Sequence, residues 1–299
     1  MPLAAFKDIM ADAELGRYAV GYFESWDLES LLAVADAAEA TRSPVILGFS
    51  GIYLSHPQVA AAPLGIYAAM GLEACRGLTV PACLLFNESP AMDRVLEAVE
   101  LGFQLVMFTD ENLSFDQQVA AVRKVVDTAH SNSIAVEGEL APLPGAGSEA
   151  PESSAAPALD SPERACDFLR RTGVDSLAVN IGQAHLHGRR RASLDMERLA
   201  ELKAATAVPL VLHAASSIAD EDLVEAIRLG VRKINVGSKL KRAYFDALRR
   251  ACADVGDNYN PYDVVGSGLG GDVLMAGRNA VRKTVEKMMA LFGSASRAD

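Results

Sequence analysis

The chain is poor in histidine, in paired cysteines and in positive charge. Its 299 residues carry 28 Lys and Arg against 39 Asp and Glu, a formal net charge of −11. Surfaces that hold nucleic acid or anionic membrane non-specifically are usually basic, so neither partner is expected. A phosphorylated small molecule stays compatible, because one pocket can be positive within an acidic protein. Cys75, Cys83, Cys166 and Cys252 lie far apart and form no CxxC pair. That spacing argues against a disulfide framework or a thiolate zinc site and fits small core hydrophobes in a reducing compartment. Long apolar runs are missing as well: no uncharged stretch reaches the ~18 residues of a membrane span. Asp8, Asp12 and Glu14 interrupt the N-terminal segment where a signal peptide needs continuous apolar residues. The expectation is a soluble cytoplasmic protein. With only five histidines, their positions carry weight.

What the chain does have is rhythm. Eight short apolar runs stand out: YAVGYF (18–23), PVILGFS (44–50), VPACLLF (80–86), LVMFT (105–109), IAVEGEL (134–140), SLAVNIG (176–182), PLVLHAA (209–215) and KINVGS (233–238). Near-continuous apolar character suits strands buried on both faces, as in a parallel sheet. Amphipathic segments of 3.6-residue period separate them, with Asp27 and Ser114 as N-caps and Gly102, Gly173 and Gly230 closing helices. Alternation of this kind, eight times over, predicts an α/β fold, a single-domain (β/α)8 TIM barrel. An open doubly wound sheet would show fewer units and a phosphate-binding glycine motif after its first strand, where this chain has FESWDLES. The segment 141–160, rich in Pro, Ala, Gly and Ser, breaks the rhythm; after strand five it would be a mobile lid or a tolerated loop. G-S-G-L-G-G at 266–271 matches a dinucleotide fingerprint in letters only, since no βαβ unit follows it. It is expected to be a glycine-rich insertion.

Barrel active sites form at the C-terminal ends of the strands. That rule selects Glu24, Ser50, Asn87, Glu88, Asp110, Glu111, Glu137, Glu139, His185, His187, His213, Asn235 and Ser238. Imidazole with carboxylate at such a mouth is raw material for a divalent metal site, and the best set is Glu88, His185 and His213. Taken singly, each histidine is equally a strand-end hydrogen-bonding group; His56 and His130 lie in a loop and late in a helix and fit that plainer role. Ser216, Ser217, Gly237 and Ser238, in loops that open helices, could hold a phosphate, although small residues are also ordinary turn formers. Arg189, Arg190 and Arg191 could reach a substrate anion or form a solvated loop.

The segments YAVGYFESWDLESLLAVADAAEATRSPVI, VEGEL, RTGVDSLAVNIGQAH, LDMERL, VPLVLHAASSI, LGVRKINVGSKL and MALFGSA resemble the class II, metal-dependent fructose- and tagatose-bisphosphate aldolases almost end to end. The resemblance implies a barrel in which three histidines hold zinc, which polarises a ketose carbonyl and stabilises the enediolate left when the C3–C4 bond breaks. It implies a sugar or sugar-phosphate substrate and a homo-oligomer, dimer or tetramer. His185 and His213 match two zinc histidines, Glu139 the acid of the VEGEL segment, Asn235 a substrate-binding asparagine, Ser216 a phosphate-binding serine, and Ser238 the threonine after strand eight.

The departures gather at the mouth. Asn87 stands where the proton-transferring aspartate of HLDHG should be, and Glu88 replaces the first zinc histidine. A carboxylate is a harder ligand and shifts preference from zinc toward manganese, iron or cobalt. Leu186, Ala214, Ala215 and Ser217 replace glycines, and Glu24 replaces an asparagine. These changes argue against ordinary bisphosphate cleavage. Two classes stay open: a divergent metal-dependent lyase with Glu139, Glu111 or Glu24 as the base, and a catalytically silent relative used for binding or assembly.

Overall fold

Each of the eight apolar runs becomes one parallel strand, and together they close into a barrel in the order β1 to β8. The computed structural model describes residues 3–55, 63–140, 143, 159–184 and 192–298. In chain order the elements are α1 (Phe6–Gly16), β1 (Val20–Phe23), α2 (Leu28–Thr41), β2 (Val45–Ser50), α3 (Gly51–Leu54), α4 (Leu64–Gly77), β3 (Ala82–Ser89), α5 (Met92–Glu100) and β4 (Leu105–Phe108). There follow α6 (Phe115–Ser131), β5 (Ala135–Glu139), α7 (Pro162–Thr172), β6 (Ser176–Ala178), α8 (Met196–Ala205), β7 (Leu210–Leu212), α9 (Asp220–Arg228) and β8 (Val231–Val236). The chain finishes with α10 (Ser238–Ala253), α11 (Pro261–Val264) and α12 (Val273–Leu291). Closure is made by β1 on β8, with Val20 opposite Lys233 and Tyr22 opposite Asn235.

Local signals in the sequence account for many helix ends. Asp27 accepts from the Ser30 amide at 2.7 Å, and Ser114 accepts from the Gln117 amide at 3.4 Å, each completing a capping box. Gly102, Gly173 and Gly230 follow α5, α7 and α9 with φ of 86°, 75° and 117°, a backbone region that disfavours side chains. Strand eight starts at Val231, two residues before the apolar run suggests, because Arg232 and Lys233 are buried strand residues.

Side-chain alternation sorts the barrel into two cores. Outward-facing residues pack under the helices in one large cluster, and α12 lies against α2 and α10. The lower barrel interior is filled by Val20, Tyr22, Ile46, Cys83, Leu85 and Leu105, against which α1 places Phe6, Ile9, Met10 and Ala13. With its N-terminal end plugged in this way, the interior is left to polar groups only toward the C-terminal ends of the strands.

The glycine-rich segment is a turn at the start of α12. The Gly268 amide donates to Asp272 Oδ2 at 2.9 Å and the Leu274 amide to Oδ1 at 3.0 Å, so a carboxylate of the chain itself takes the anion position. Of the segment 141–160, only Leu143, Leu159 and Asp160 are among the described residues. Asp160 returns the chain to the end of β6: its amide donates to the Asn180 carbonyl at 3.0 Å, and its carboxylate accepts from the Asn180 amide at 2.7 Å. Among the described residues no helix is long and apolar enough to cross a membrane.

Candidate active site

An uninterrupted strand would point Asn87 and Glu88 to opposite faces. Strand β3 avoids this by an irregularity between Phe86 and Ser89, where its register against β4 shifts. Glu88 takes φ +53°, in the left-handed region, and both side chains line the mouth cavity. Such a conformation costs about 1–3 kcal/mol in a residue with a side chain, and it persists only where the surroundings hold it. The Asn87 amide donates to Glu88 Oε2 at 2.7 Å, fixing the two together.

His213, at the end of β7, is buried and held by two carboxylates. Nδ1 lies 3.1 Å from Glu88 Oε1, and Nε2 lies 2.8 Å from Glu137 Oε1. Burial would lower the imidazole pKa, but Glu88 and Glu137 overcome it and raise it to about 10. Beneath the histidine, fully buried Lys233 donates to Glu137 Oε2 at 2.8 Å and to Asn235 Oδ1 at 2.5 Å. Burial raises the Glu137 carboxyl, yet Lys233 and then His213 hold it below its ordinary value. Two cations and two carboxylates thus form a neutral column running from the barrel interior to the mouth.

At the rim, Glu24 directly follows β1 and accepts from Lys241 Nζ at 2.6 Å, while the ammonium sits 4.2 Å from the Tyr53 ring centroid. Burial raises the Glu24 carboxyl; Lys241 opposes this and Glu88 adds to it. Gly237 leaves room for the carboxylate, since a Cβ there would collide with Glu24 Oε2. Ser216 Oγ accepts from the Lys239 amide at 3.0 Å, which ties the β7 loop to the first turn of α10.

Glu139 lies deeper, buried on β5, and accepts a hydrogen bond from the Thr109 hydroxyl. Burial is the main cause that pushes its carboxyl up to about 7. An acid whose folded pKa exceeds its unfolded value loses stability as pH rises from about 4 to 7, because the unfolded chain gives up the proton first. Glu139→Gln removes that loss. It is expected to stabilise the protein by about 1–3 kcal/mol at pH 8 and to have little effect near pH 4. Urea unfolding at the two pH values measures the difference; equal effects at both would contradict it.

The mouth cavity, about 280 Å³, is lined by nine of the residues selected from the sequence: Glu24, Ser50, Asn87, Glu88, His213, Ser216, Asn235, Gly237 and Ser238. Glu139 is close by but does not line it, and Glu111 is exposed on the turn after β4, away from it. His185 and His187 lie outside the described residues, as do His56 and the basic run at 189–191. His130 is a surface group 2.9 Å from Asp175. Sequence reasoning missed Tyr22, Tyr53, Lys233 and Lys241. For Lys233 a signal existed: it stands two residues before Asn235 and so faces the same way, inward. Lys241 is one helical turn beyond Ser238, a spacing that puts it at the same rim.

The donor chemistry accommodates a cation. Nε2 of His213 is committed to buried Glu137, the carboxylate–histidine arrangement that orients metal-binding imidazoles, and Nδ1 and Glu88 Oε1 now share a proton that a cation can replace. No group of three His, Cys, Asp or Glu side chains suited to hold a metal occurs among the described residues.

A closed eight-stranded barrel with a polar constellation at the C-terminal ends of its strands defines the class: a barrel enzyme scaffold with its site at the mouth. Residues 4–297 match the class II fructose-bisphosphate aldolase family, and the chain belongs to that family. A fructose-bisphosphate aldolase of Geobacillus stearothermophilus is 30% identical over 303 residues, spanning 100% of this chain and 99% of that one. The crystal structure of the YdjI aldolase of Escherichia coli K12 superposes with a TM-score of 0.80 at 29% identity, covering 99% of this chain and 100% of that one. A Coccidioides immitis protein described as a putative fructose-1,6-bisphosphate aldolase, 24% identical, superposes with a TM-score of 0.82 over 97% of this chain and 96% of that one, and supports the fold. The family is one of lyases that generally use a divalent metal and act on sugar phosphates.

Proposed function

We propose that this chain is a metal-dependent aldehyde-lyase with a changed reaction centre, cleaving or forming the C–C bond beside the carbonyl of a ketose, ketose phosphate or related hydroxyketone. The observation that carries the reading is the pair Glu88 Oε1 and His213 Nδ1, 3.1 Å apart with the other imidazole nitrogen held by Glu137. These two residues, with His185, which follows β6 in the sequence, would hold zinc, or the harder manganese, iron or cobalt ions that a carboxylate favours. When bound, the cation supplies a Lewis acid for the ketose carbonyl.

The chain's own residues do the rest. Asn87 cannot accept a proton from the substrate hydroxyl, and Glu24, with a raised pKa, is the carboxylate besides Glu88 that lines the cavity among the described residues. Glu24 therefore takes that proton, with Lys241 at 2.6 Å stabilising the carboxylate. Glu139, beside the cavity rather than in its lining and with its carboxyl pushed up to about 7, would hold a proton for the carbon end of the reaction. Asn235, Ser50, Ser216, Gly237 and Ser238 orient hydroxyl or phosphate groups of the substrate. Leu186, Ala214, Ala215 and Ser217 stand where the family resemblance implies glycines that bring backbone close to phosphate, so bisphosphates are expected to be poor substrates.

Hydrogen exchange into deuterated water from dihydroxyacetone and from its phosphate, followed by NMR with zinc- or manganese-loaded protein, tests the reading without knowledge of the aldehyde. Metal-dependent exchange of one carbon-bound hydrogen supports it. No exchange with either metal indicates the silent, binding relative instead.

The homo-oligomer that the family resemblance implies has candidate contact residues: Phe245 on α10 and Tyr259, Tyr262, Val265 and Leu269 between α10 and α12 are all exposed. Sedimentation velocity is expected to show a dimer or tetramer, dissociated by Tyr262→Ser with Leu269→Ser; a monomeric parent protein contradicts this.

A further inference from the structure

Six side chains inside the barrel close into one hydrogen-bonded ring. Lys233 Nζ donates to Asn235 Oδ1 at 2.5 Å, Asn235 Nδ2 to Asn87 Oδ1 at 3.4 Å, and Asn87 Nδ2 to Glu88 Oε2 at 2.7 Å. From the same ammonium a second arm runs the other way. It passes to Glu137 Oε2 at 2.8 Å, and from Glu137 Oε1 to His213 Nε2 at 2.8 Å. The arms meet where His213 Nδ1 faces Glu88 Oε1 at 3.1 Å. All of these residues except Glu88 are buried, so each relies chiefly on its neighbours in the ring for hydrogen bonds.

Lys233 sets the direction of both arms. An ammonium only donates, so Asn235 turns its oxygen to Lys233 and its NH2 to Asn87. Asn87 then answers with its oxygen, which leaves its own NH2 for Glu88. In the other arm Glu137, held as an acceptor by Lys233, takes the hydrogen of His213 Nε2. Donors therefore point away from Lys233 along both arms. They converge on a carboxylate oxygen and an imidazole nitrogen, the one junction that needs a cation between its atoms, a proton or a metal.

Residue 87 must accept from Asn235 and donate to Glu88, and an amide does both. An aspartate of the same shape would accept from Asn235 but set a second carboxylate oxygen against Glu88 Oε2. The two departures at the end of β3 are thus one change: a carboxylate at 88 calls for a donor at 87. We propose that Asn87 is a positioning residue for the cation site and not the remnant of a lost base. It holds Glu88 by Oε2, so that Oε1 is the oxygen turned toward His213 Nδ1. The inference rests on the metal-binding reading given above and extends it to a residue outside the ligand set.

Zinc affinity of the metal-free protein, measured by competition with a chromophoric chelator, tests it. Asn87→Leu keeps the approximate size and removes the donor. It should raise the zinc Kd about tenfold or more, the usual cost of losing a group that orients a metal ligand. The metal-free melting temperature should stay within about 5 °C of the parent's. A larger fall makes Asn87 a structural residue and overturns the proposal, as does an unchanged zinc Kd or a parent that binds no zinc. The isosteric Asn87→Asp, loaded with zinc, should cleave fructose 1,6-bisphosphate no faster than the parent. A base returned to this position would be worth about a hundredfold, so a gain in cleavage also overturns the proposal. Metal-dependent hydrogen exchange in the parent with unchanged zinc affinity in Asn87→Leu removes the positioning role and keeps the lyase reading. Weakened zinc binding in Asn87→Leu with no exchange in the parent removes the lyase reading and keeps the positioning role.

Discussion

Replacing Lys233 with Met is expected to lower the free energy of unfolding by about 3–5 kcal/mol. The lysine is fully buried and donates to Glu137 at 2.8 Å and to Asn235 at 2.5 Å. Methionine matches its length and fits the surroundings, which include the Tyr22 ring 5.4 Å away, so packing changes little. The cost is electrostatic: Glu137 stays buried with only His213 to compensate it. Removing one member of a buried pair is far more damaging than removing both. The double variant Lys233→Met with Glu137→Gln should therefore recover at least half the loss. Urea unfolding followed by circular dichroism measures all three proteins. A loss below about 1 kcal/mol in Lys233→Met would mean that the column is hydrated and that its charges are not coupled.

The second large effect falls on function. Glu88→Ala should lower metal content at least about tenfold and kcat/KM about a thousandfold, the size expected when several kcal/mol of Lewis-acid stabilisation is lost. Stability should move differently. Glu88 sits at φ +53°, where glycine carries no side-chain penalty. Glu88→Gly is expected to be about 1 kcal/mol more stable than Glu88→Ala while being equally metal-poor. That divergence separates a residue kept for ligation from one kept for structure. Metal analysis after dialysis, paired with thermal unfolding, reads both quantities. Full metal occupancy in Glu88→Ala would remove the glutamate from the ligand set.

The barrel was legible in the sequence because strands buried on both faces must be apolar along their length, and the eight short runs alternate with amphipathic segments. Gly102, Gly173 and Gly230 marked helix ends because the chain needs a left-handed residue there. Strand eight was placed late for the same reason that makes it important: Arg232 and Lys233 are charged residues inside the fold. Most of the mouth was legible too, through the rule that function sits at strand ends. What stayed hidden depends on backbone irregularity and depth. Simple alternation sends Asn87 and Glu88 to opposite faces, and the register shift in β3 that unites them has no residue signature. Glu137 and Glu139 both face inward two residues apart, yet one meets His213 and the other Thr109. Glu111 has the right place in the sequence, but the turn after β4 carries it into solvent.

The central claim is that Glu88 and His213 are two ligands of one cation. The most direct measurement is anomalous diffraction at the zinc edge from crystals equilibrated with zinc. The account predicts a single strong peak within coordination distance of Glu88 Oε1 and His213 Nδ1, with Nε2 still donating to Glu137. A map without a peak there at saturating zinc, with both imidazole nitrogens still bonded to Glu88 and Glu137, would contradict it.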